Sequence, residues 1–243
     1  MQLCIDVMSQ PSRACMIFCR MNSLPVEETQ VLIHKGETRS PSFRAKNPFG
    51  KVPCLLDSGF CLPESAAILS YLSANFQDQV PDHWYPRRCL QRRATLESAL
   101  HWYHSNIRAG CARLVFHKVL AAKLGAEPRE HIAQEGLELL RPALQQLEGV
   151  WLRNSAFVAG DQVSVADLLM CCELEQLTML NKEKHGVDLE ELLQPHPVIR
   201  AWMAATARSC APHYEAVHAM LRRSAAAGGG TTSPAAVPTV SRL

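Results

Sequence analysis

Short apolar runs of strand length alternate with two helical periodicities over residues 1–77. The predicted strands lie at 2–8, 26–33, 52–57 and 60–62, and in the second of them Val31 and Ile33 alternate with polar or opposite-facing positions. The helical patterns lie at 12–21 and 64–76, and the residues at 34–50 are irregular and polar. The order strand, helix, strand, loop, strand, strand, helix predicts a compact α/β unit.

From residue 78 onward the pattern changes to long helical periodicities. Residues 78–86 form a polar, proline-containing connector, as expected between two domains. Beyond it, apolar residues recur at helical spacings, for example from Leu96 to Leu114, and predict an all-helical domain over 87–223. Ser164 and Asp167 are placed to form a capping box at the start of one of these helices.

Residues 224–243 are of low complexity, with consecutive glycines and scattered prolines. Such a segment cannot bury enough apolar surface to offset the entropy lost on ordering. We therefore expect a disordered tail over 224–243.

Composition and charge narrow the classes of function. The chain has 243 residues, of which 47% are apolar, and a formal charge of +2. A near-balanced charge argues against a dedicated nucleic-acid binder, because affinity for phosphate needs concentrated basic residues. The sequence shows neither an apolar run of membrane-spanning length nor the basic start of a secretory signal. We therefore expect a protein of a reducing compartment with no membrane partner.

Ten cysteines and ten histidines raise the question of disulfides or a metal. The cysteines are irregularly spaced without a C-x-x-C pair, so neither a disulfide framework nor a zinc site is predicted. Most of them are expected to be small buried apolar residues. His101 and His104 share a helix face but lack a third ligand at a recognisable spacing, so no metal is expected.

Ser9 and Ser12 lie where the first strand gives way to a helix. Unpaired backbone N–H groups and the helix dipole favour an anion at such a terminus. A serine hydroxyl there can donate a hydrogen bond to a thiolate and so stabilise its charged form. The alternative is that the serine simply caps the helix.

Two further places are suited to binding a ligand. The Val52–Pro53 bond is of the type that adopts the cis form, which would turn backbone groups outward; an ordinary edge-strand proline is the alternative. Glu64 and Ser65 open a helix, where a hydroxyl and free amides bind a carboxylate and Glu64 can pair with an ammonium. Together this pair would hold the zwitterionic end of an amino acid, with helix capping as the alternative.

Four segments, in order, resemble the theta class of glutathione transferases in its plant-type branch. They are SQPSRA after the first strand, NPFGKVP at 47–53, ESAAILSYL at 64–72 and VSVADL at 163–168. The resemblance covers about residues 1–223 and includes VPDHWYP in the connector and CELEQL at 172–177. It implies a thioredoxin-like N-terminal domain, an all-helical C-terminal domain and a homodimer.

The resemblance also implies roles for particular residues. Ser9 would activate the sulfur of glutathione. Val52 would pair its backbone with the cysteinyl unit of glutathione, and Lys51 would approach the glycyl carboxylate. Glu64 and Ser65 would hold the γ-glutamyl end.

Three further residues, Thr38, Arg39 and Arg108, correspond to functional positions of relatives in this resemblance. Thr38, followed by Arg39, stands where relatives often carry His or Gln near the glycyl end of glutathione. Arg108 matches the place of an arginine on the first long helix that assists the thiolate in some relatives.

The sequence thus predicts an enzyme that conjugates glutathione to small electrophiles and reduces organic hydroperoxides. Glutathione is its cosubstrate, and no metal or redox cofactor is expected. Glutathione-dependent disulfide exchange would need a cysteine at the strand-to-helix turn, whereas Cys15 lies more than a turn into the helix. A non-catalytic ligand-binding or interaction protein that retains the fold is the alternative from another class.

Ser241, Arg242 and Leu243 form a small–basic–Leu tripeptide at the end of the given sequence. It is a close variant of the Ser-Lys-Leu peroxisomal address. Carried on a flexible tail, it predicts recognition by a peroxisomal import receptor and a location in peroxisomes, the cytosol or both.

Overall fold

The computed structural model describes residues 1–227, which begin with a four-stranded mixed sheet. The strands are β1 (Gln2–Ile5), β2 (Glu27–Gln30), β3 (Cys54–Asp57) and β4 (Phe60–Pro63). Their order across the sheet is β2-β1-β3-β4. β1 and β2 run parallel, and the other neighbouring pairs run antiparallel. The four predicted strands are confirmed: β1, β2 and β3 have shorter bounds than predicted, and β4 is one residue longer.

An aspartate explains why β1 ends earlier than the apolar run that predicts it. The Asp6 carboxylate accepts the backbone N–H groups of Met8 and Ile33, both at 2.8 Å. These bonds turn residues 6–8 away from the strand ladder. They also fix the 3₁₀ turn at Ile33–Lys35, ahead of which β2 has already ended.

Three helices belong to this domain: α1 (Gln10–Met21), α2 (Pro41–Lys46) and α3 (Ser65–Asn75). The helix α2 and a 3₁₀ turn at Glu37–Arg39 replace the irregular segment expected at 34–50. Ser40 caps α2 by accepting the Phe43 N–H at 3.2 Å, and Pro41 sets its first turn. Helix α2 has 6 residues and buries only Phe43, so the sequence shows no apolar period there.

Alternation along β1 gives the sheet two different faces. Leu3 and Ile5 lie in the main hydrophobic core, together with apolar residues of α1 and α3. Cys4 lies on the other face in a smaller cluster with Phe43 and Val52. The α1–α3 face therefore joins the core of the molecule, and the other face supports α2 and the segment before β3.

The remainder of the described chain is helical. A long rod runs through α4 (Leu90–Tyr103), a π turn at His104–Arg108, α5 (Ala109–Val115) and a second π turn at Phe116–Leu120. It packs closely on α6 (Glu130–Gln146) at two glycines, Gly110 and Gly136. The approach is so close that a Cβ on Gly110 would lie 2.9 Å from the Gly136 carbonyl oxygen. The remaining helices are α7 (Val165–Glu175), α8 (Lys182–His185), α9 (Leu189–Leu193), α10 (Pro197–Ser209) and α11 (His213–Ala226).

Helix α7 forms the centre of the helical domain, since all of its residues are buried. The predicted capping box is confirmed at its start. The Asp167 carboxylate accepts the Ser164 backbone N–H at 2.8 Å and the Ser164 hydroxyl at 2.6 Å. It also accepts the Val158 N–H at 2.9 Å and the Trp202 indole N–H at 2.7 Å. One buried carboxylate thus ties α7 to the preceding loop and to α10.

The connector between the domains is held firmly in place. The Arg87 guanidinium donates to the Ser73 carbonyl of α3 at 2.6 Å. The Trp84 carbonyl accepts the Val165 N–H at 3.0 Å, and the Trp84 ring lies edge-on to Phe18 with centroids 5.5 Å apart. The hydrophobic core therefore continues from α1 and α3 into the helical domain.

The last described helix extends further than predicted. Residues 224–226 belong to α11, so a disordered tail beginning at 224 is wrong for those positions. The rest of the predicted tail, with Ser241, Arg242 and Leu243, lies outside the described residues. None of the helices described over 1–227 combines the length and the apolar character needed to cross a bilayer.

Candidate active site

Ser9 is the residue immediately before α1, yet its side chain does not cap that helix. It has extended backbone angles, and within the described residues its hydroxyl makes no capping bond. A capping hydroxyl normally accepts the N–H of the second or third helical residue. Here the second is Pro11, which has no N–H, and the third is Ser12. The Ser9 hydroxyl is therefore left for a partner outside the helix.

Ser12 has a different environment from Ser9. It is fully buried, and its hydroxyl accepts the Asp6 backbone N–H at 3.4 Å. Ser9 retains 7% exposure and lies at the surface end of α1. Of the two candidate serines, Ser9 is the one that a ligand can reach.

The segment before β3 is shaped by a buried asparagine. The Asn47 side chain donates to the Lys51 carbonyl at 2.8 Å and accepts the Phe49 N–H at 3.2 Å. These bonds present Lys51 at the surface and place Val52 in the small cluster beneath. The Val52–Pro53 bond is cis, as the first of the two interpretations requires.

Thr38 and Arg39 are brought next to this segment. Gly50 has a φ of +59°, and a Cβ there would lie 2.9 Å from the Thr38 carbonyl oxygen. Glycine is needed here because φ is positive and because a Cβ would clash with the Thr38 carbonyl oxygen. Thr38 is buried, whereas Arg39 and Lys51 are exposed and supply positive charge at this edge.

Glu64 and Ser65 stand at the start of α3 in an unusual conformation. Helix α3 begins at Ser65, so the capping position belongs to Glu64, and interpreting Ser65 as the cap is wrong. Within 1–227 the Glu64 side chain makes no capping bond, and its φ is +69°. A non-glycine residue in this region carries strain, which is found most often at ligand sites.

A buried carboxylate links the start of α1 to the helical domain. Glu173 of α7 is fully buried and accepts Arg108 Nη1 on both oxygens at 2.9 Å. It also accepts the Gln10 amide at 2.8 Å and the Tyr103 hydroxyl at 3.2 Å. Burial is the largest single effect and lowers the pKa of Arg108, but Glu173 and Tyr103 together outweigh it, so the Arg108 pKa lies above its ordinary value. Arg108 is thus fixed in place. It is connected through Glu173 to Gln10, which is the residue after Ser9.

Beside this cluster lies a cleft between α1 and the long helical rod, with a volume of about 370 Å³. Its lining combines four apolar residues with four polar or charged ones. The lining residues are Gln10, Arg108, Ala112, Arg113, Val115, Phe116, His117 and Leu120. The sequence does not reveal this cleft, because its walls come from segments about a hundred residues apart.

A second buried charge, Arg13 of α1, was also missed by sequence reasoning. Its guanidinium donates to the Val7 carbonyl at 3.1 Å and to the Gln176 side-chain oxygen at 2.6 Å. Burial lowers its pKa, with neighbouring acidic groups opposing that effect. These contacts join α1 to the strand end before it and to the residues after α7, and so hold the helix that carries Ser9.

The other candidate groups are not placed for chemistry. Cys15 is fully buried in α1, and burial raises the pKa of its thiol well above the ordinary value, which disfavours a reactive thiolate there. Over residues 1–227, His101 and His104 are not part of any group of three or more His, Cys, Asp or Glu residues able to hold a metal.

The fold and the site together define a two-domain architecture, with a thioredoxin-like domain whose ligand-facing helix ends meet an all-helical domain. Residues 6–74 match the family model for the N-terminal domain of glutathione S-transferases, and residues 111–209 match the model for their C-terminal domain. The chain belongs to the glutathione transferase family, in its theta class.

Curated relatives and solved structures show the extent of the similarity. Glutathione S-transferase T1 of Arabidopsis thaliana is 41% identical over 89% of this chain and 86% of its own length. Glutathione S-transferase T2 of that plant is also 41% identical over 90% of this chain, but the match spans only 36% of T2. Human glutathione transferase theta-2, solved in complex with glutathione and an unknown ligand, is 34% identical. The two structures agree with a TM-score of 0.82 over 93% of this chain and 90% of the human one.

Proposed function

We propose that this chain is a glutathione transferase in which Ser9 stabilises the thiolate of glutathione. The observation that carries the proposal is the Ser9 hydroxyl at the N-terminus of α1, which makes no capping bond within residues 1–227. The thiol of a free cysteine has a pKa of about 8.5. A hydrogen bond from Ser9, together with the positive end of α1, favours the charged form and so raises the thiolate fraction at neutral pH.

The rest of the glutathione molecule is proposed to lie along the edge of the first domain. The Val52 backbone pairs with the cysteinyl unit, and Lys51, Thr38 and Arg39 meet the glycyl carboxylate. Glu64 and Ser65 hold the γ-glutamyl end at the start of α3. Two features of the local structure support this arrangement. The close approach of Gly50 to Thr38 brings Thr38 and Arg39 next to Lys51 and Val52. The positive φ of Glu64 is the kind of strained conformation found at ligand sites.

The second substrate is proposed to occupy the 370 Å³ cleft beside Gln10 and Arg108. Its apolar residues suit a small hydrophobic electrophile, and the thiolate would attack an electrophilic carbon there. Reduction of an organic hydroperoxide at the same place is the second proposed reaction. In that case the thiolate attacks a peroxide oxygen, and glutathione is the only cosubstrate in both reactions. We further propose a homodimer, as is implied by the resemblance to the theta class.

Replacing Ser9 by alanine tests the proposal. One hydrogen bond to an anion is worth about 1.5–3 kcal/mol, so Ser9→Ala should lower turnover on the order of 10- to 100-fold. Glutathione affinity should survive, and the pKa of the bound thiol should rise. The assays are conjugation with a panel of halides and epoxides and reduction of organic hydroperoxides.

Ser12→Ala separates a role in chemistry from a role in the fold. The Ser12 hydroxyl is internal, so its loss should reduce stability while turnover remains. Loss of turnover in Ser12→Ala but not in Ser9→Ala would reverse the assignment. A wild-type chain that binds glutathione without either reaction would instead identify a non-catalytic binding protein.

A further inference from the structure

Three cysteines lie together on the sheet face opposite the main core. Cys4 of β1 and Cys54 of β3 are buried in the small cluster beneath α2, and Cys61 of β4 packs against it. The cluster also contains Phe43 of α2 and Val52 of the proposed glutathione-binding segment. The function proposed above makes no use of these thiols.

The strand register places two of these cysteines in a direct pair. Cys4 stands opposite Cys54 in the antiparallel ladder between β1 and β3. Directly opposed residues of such a ladder have Cα atoms about 4.5–5.5 Å apart, inside the range of about 4.4–6.8 Å found in disulfides. Cys61 stands opposite Leu56, so it meets Cys54 only along the longer diagonal.

We propose that Cys4 and Cys54 are a redox-modification site, at which a small hydroperoxide forms a reversible disulfide between β1 and β3. The Cys4 thiolate attacks one oxygen of hydrogen peroxide and the O–O bond breaks, which gives a sulfenic acid at Cys4 and a hydroxide ion that becomes water by taking up the proton the Cys4 thiol had released. The Cys54 thiol then attacks the Cys4 sulfur and releases a second water. Two thiols are oxidised to one disulfide and one hydrogen peroxide is reduced to two waters, so atoms and electrons balance.

The local electrostatics suit these two roles. The neighbouring Cys54 thiol and the charge of Lys46 together lower the pKa of Cys4 to about 7, against the opposing effect of burial. The pKa of Cys54 is raised by its bond to Cys4 and by burial, so Cys54 keeps its proton. Cys19, by contrast, lies in the main core, where burial raises its pKa to about 12. The pair thus favours one charged sulfur, with the other thiol directly opposite it in the ladder.

The cover over the pair is thin. Helix α2 is exposed except for Phe43, so it contributes one buried apolar side chain to the cluster, and within residues 1–227 the Asn47 side chain that follows it bonds only to the adjoining loop. Elements with so few buried contacts open at low free-energy cost. Hydrogen peroxide is close to water in size, so a local opening of α2 gives it access to Cys4.

Peptide mapping of the full chain tests the proposal directly. The reduced protein is treated with hydrogen peroxide under native conditions, then unfolded in denaturant, alkylated with iodoacetamide and digested with trypsin. Cleavage after Arg13, Lys51 and Arg87 leaves Cys4 in the fragment 1–13 and both Cys54 and Cys61 in 52–87. We expect these fragments to be linked, with two fewer alkylated thiols than the ten of the reduced chain, and to separate on treatment with dithiothreitol.

Matched variants identify the partner of Cys4. The link should persist in Cys61→Ser and in Cys89→Ser, which alters a partly exposed cysteine outside the cluster, and should vanish in Cys54→Ala. Fragmentation of the linked wild-type peptide locates the bond without any variant. The proposal is overturned if peroxide oxidises Cys89 while 1–13 and 52–87 stay unlinked, or if the bond is found at Cys61.

Discussion

Neutralising Glu173 should destabilise the chain far more than neutralising a surface carboxylate. In Glu173→Gln the Arg108 guanidinium loses both 2.9 Å contacts to a negative charge, and the Tyr103 hydroxyl loses a charged acceptor. Breaking a fully buried ion pair costs about 3–5 kcal/mol. Arg108 keeps 30% of its side chain exposed toward the cleft and can recover some hydration, so we expect a loss of about 2–4 kcal/mol.

Glu28→Gln is the matched control, because Glu28 also accepts two hydrogen bonds from one guanidinium. Those bonds come from Arg20 at 2.8 and 2.6 Å, but both side chains are partly exposed. We expect the control to lose at most about 1 kcal/mol. The measurement is urea unfolding at two protein concentrations, so that any contribution from association is seen. Equal losses in the two variants would refute the inference that the buried cluster links the domains.

Three further predictions follow from other parts of the molecule. Ser65→Ala and Glu64→Gln should raise the KM for glutathione with turnover less affected, because the γ-glutamyl end lies far from the sulfur; unchanged saturation curves would contradict this binding map. Burial first, and then the charge of Arg13, lowers the pKa of His218 to about 3 from 6.5, so below pH 6.5 the unfolded chain binds more protons than the folded one. Stability should therefore fall as pH drops from 6.5 toward 3, by up to about 1.4 kcal/mol per pH unit, and His218→Gln should flatten this slope in acid titrations followed by circular dichroism. A fluorescent protein fused ahead of residue 1 should co-localise with a peroxisomal marker and return to the cytosol when 241–243 are removed, whereas diffuse fluorescence of the intact fusion would reject the targeting.

Local patterns were sufficient to predict most elements of the fold. Short segments of strand length predicted the four strands, and the capping box at Ser164 and Asp167 predicted the start of α7. The strand ends and α2 were not predictable from periodicity. The end of β1 depends on the Asp6 carboxylate bonding Ile33, and α2 buries one side chain only.

Contacts between distant segments account for what the sequence did not reveal in the site. Arg13 and Gln176 bond across the two domains, as do Gln10 and Glu173. Each of these residues is unremarkable in its own stretch of sequence, and the buried charge of Glu173 becomes apparent only when α7 is seen to be buried on all sides. The cleft arises in the same way, from α1 meeting the long helical rod.

A comparison of the helix starts distinguishes Ser9 from the residues that cap other helices. Ser40 accepts the Phe43 N–H, and Asn181 and Asp188 likewise accept the N–H of the third residue of their helices. Ser9 occupies the same position before α1 but makes no such bond within the described chain.

Two neighbours of Ser9 account for this difference. Pro11 has no N–H to offer at the second helical position, and the Ser12 N–H at the third makes no bond to the Ser9 hydroxyl in the described chain. A serine that caps its helix has its lone pairs engaged and its orientation fixed by the helix. The Ser9 hydroxyl does not cap α1 within the described chain, yet it lies at the positive end of the helix dipole. A hydroxyl in that position can donate a hydrogen bond to a thiolate.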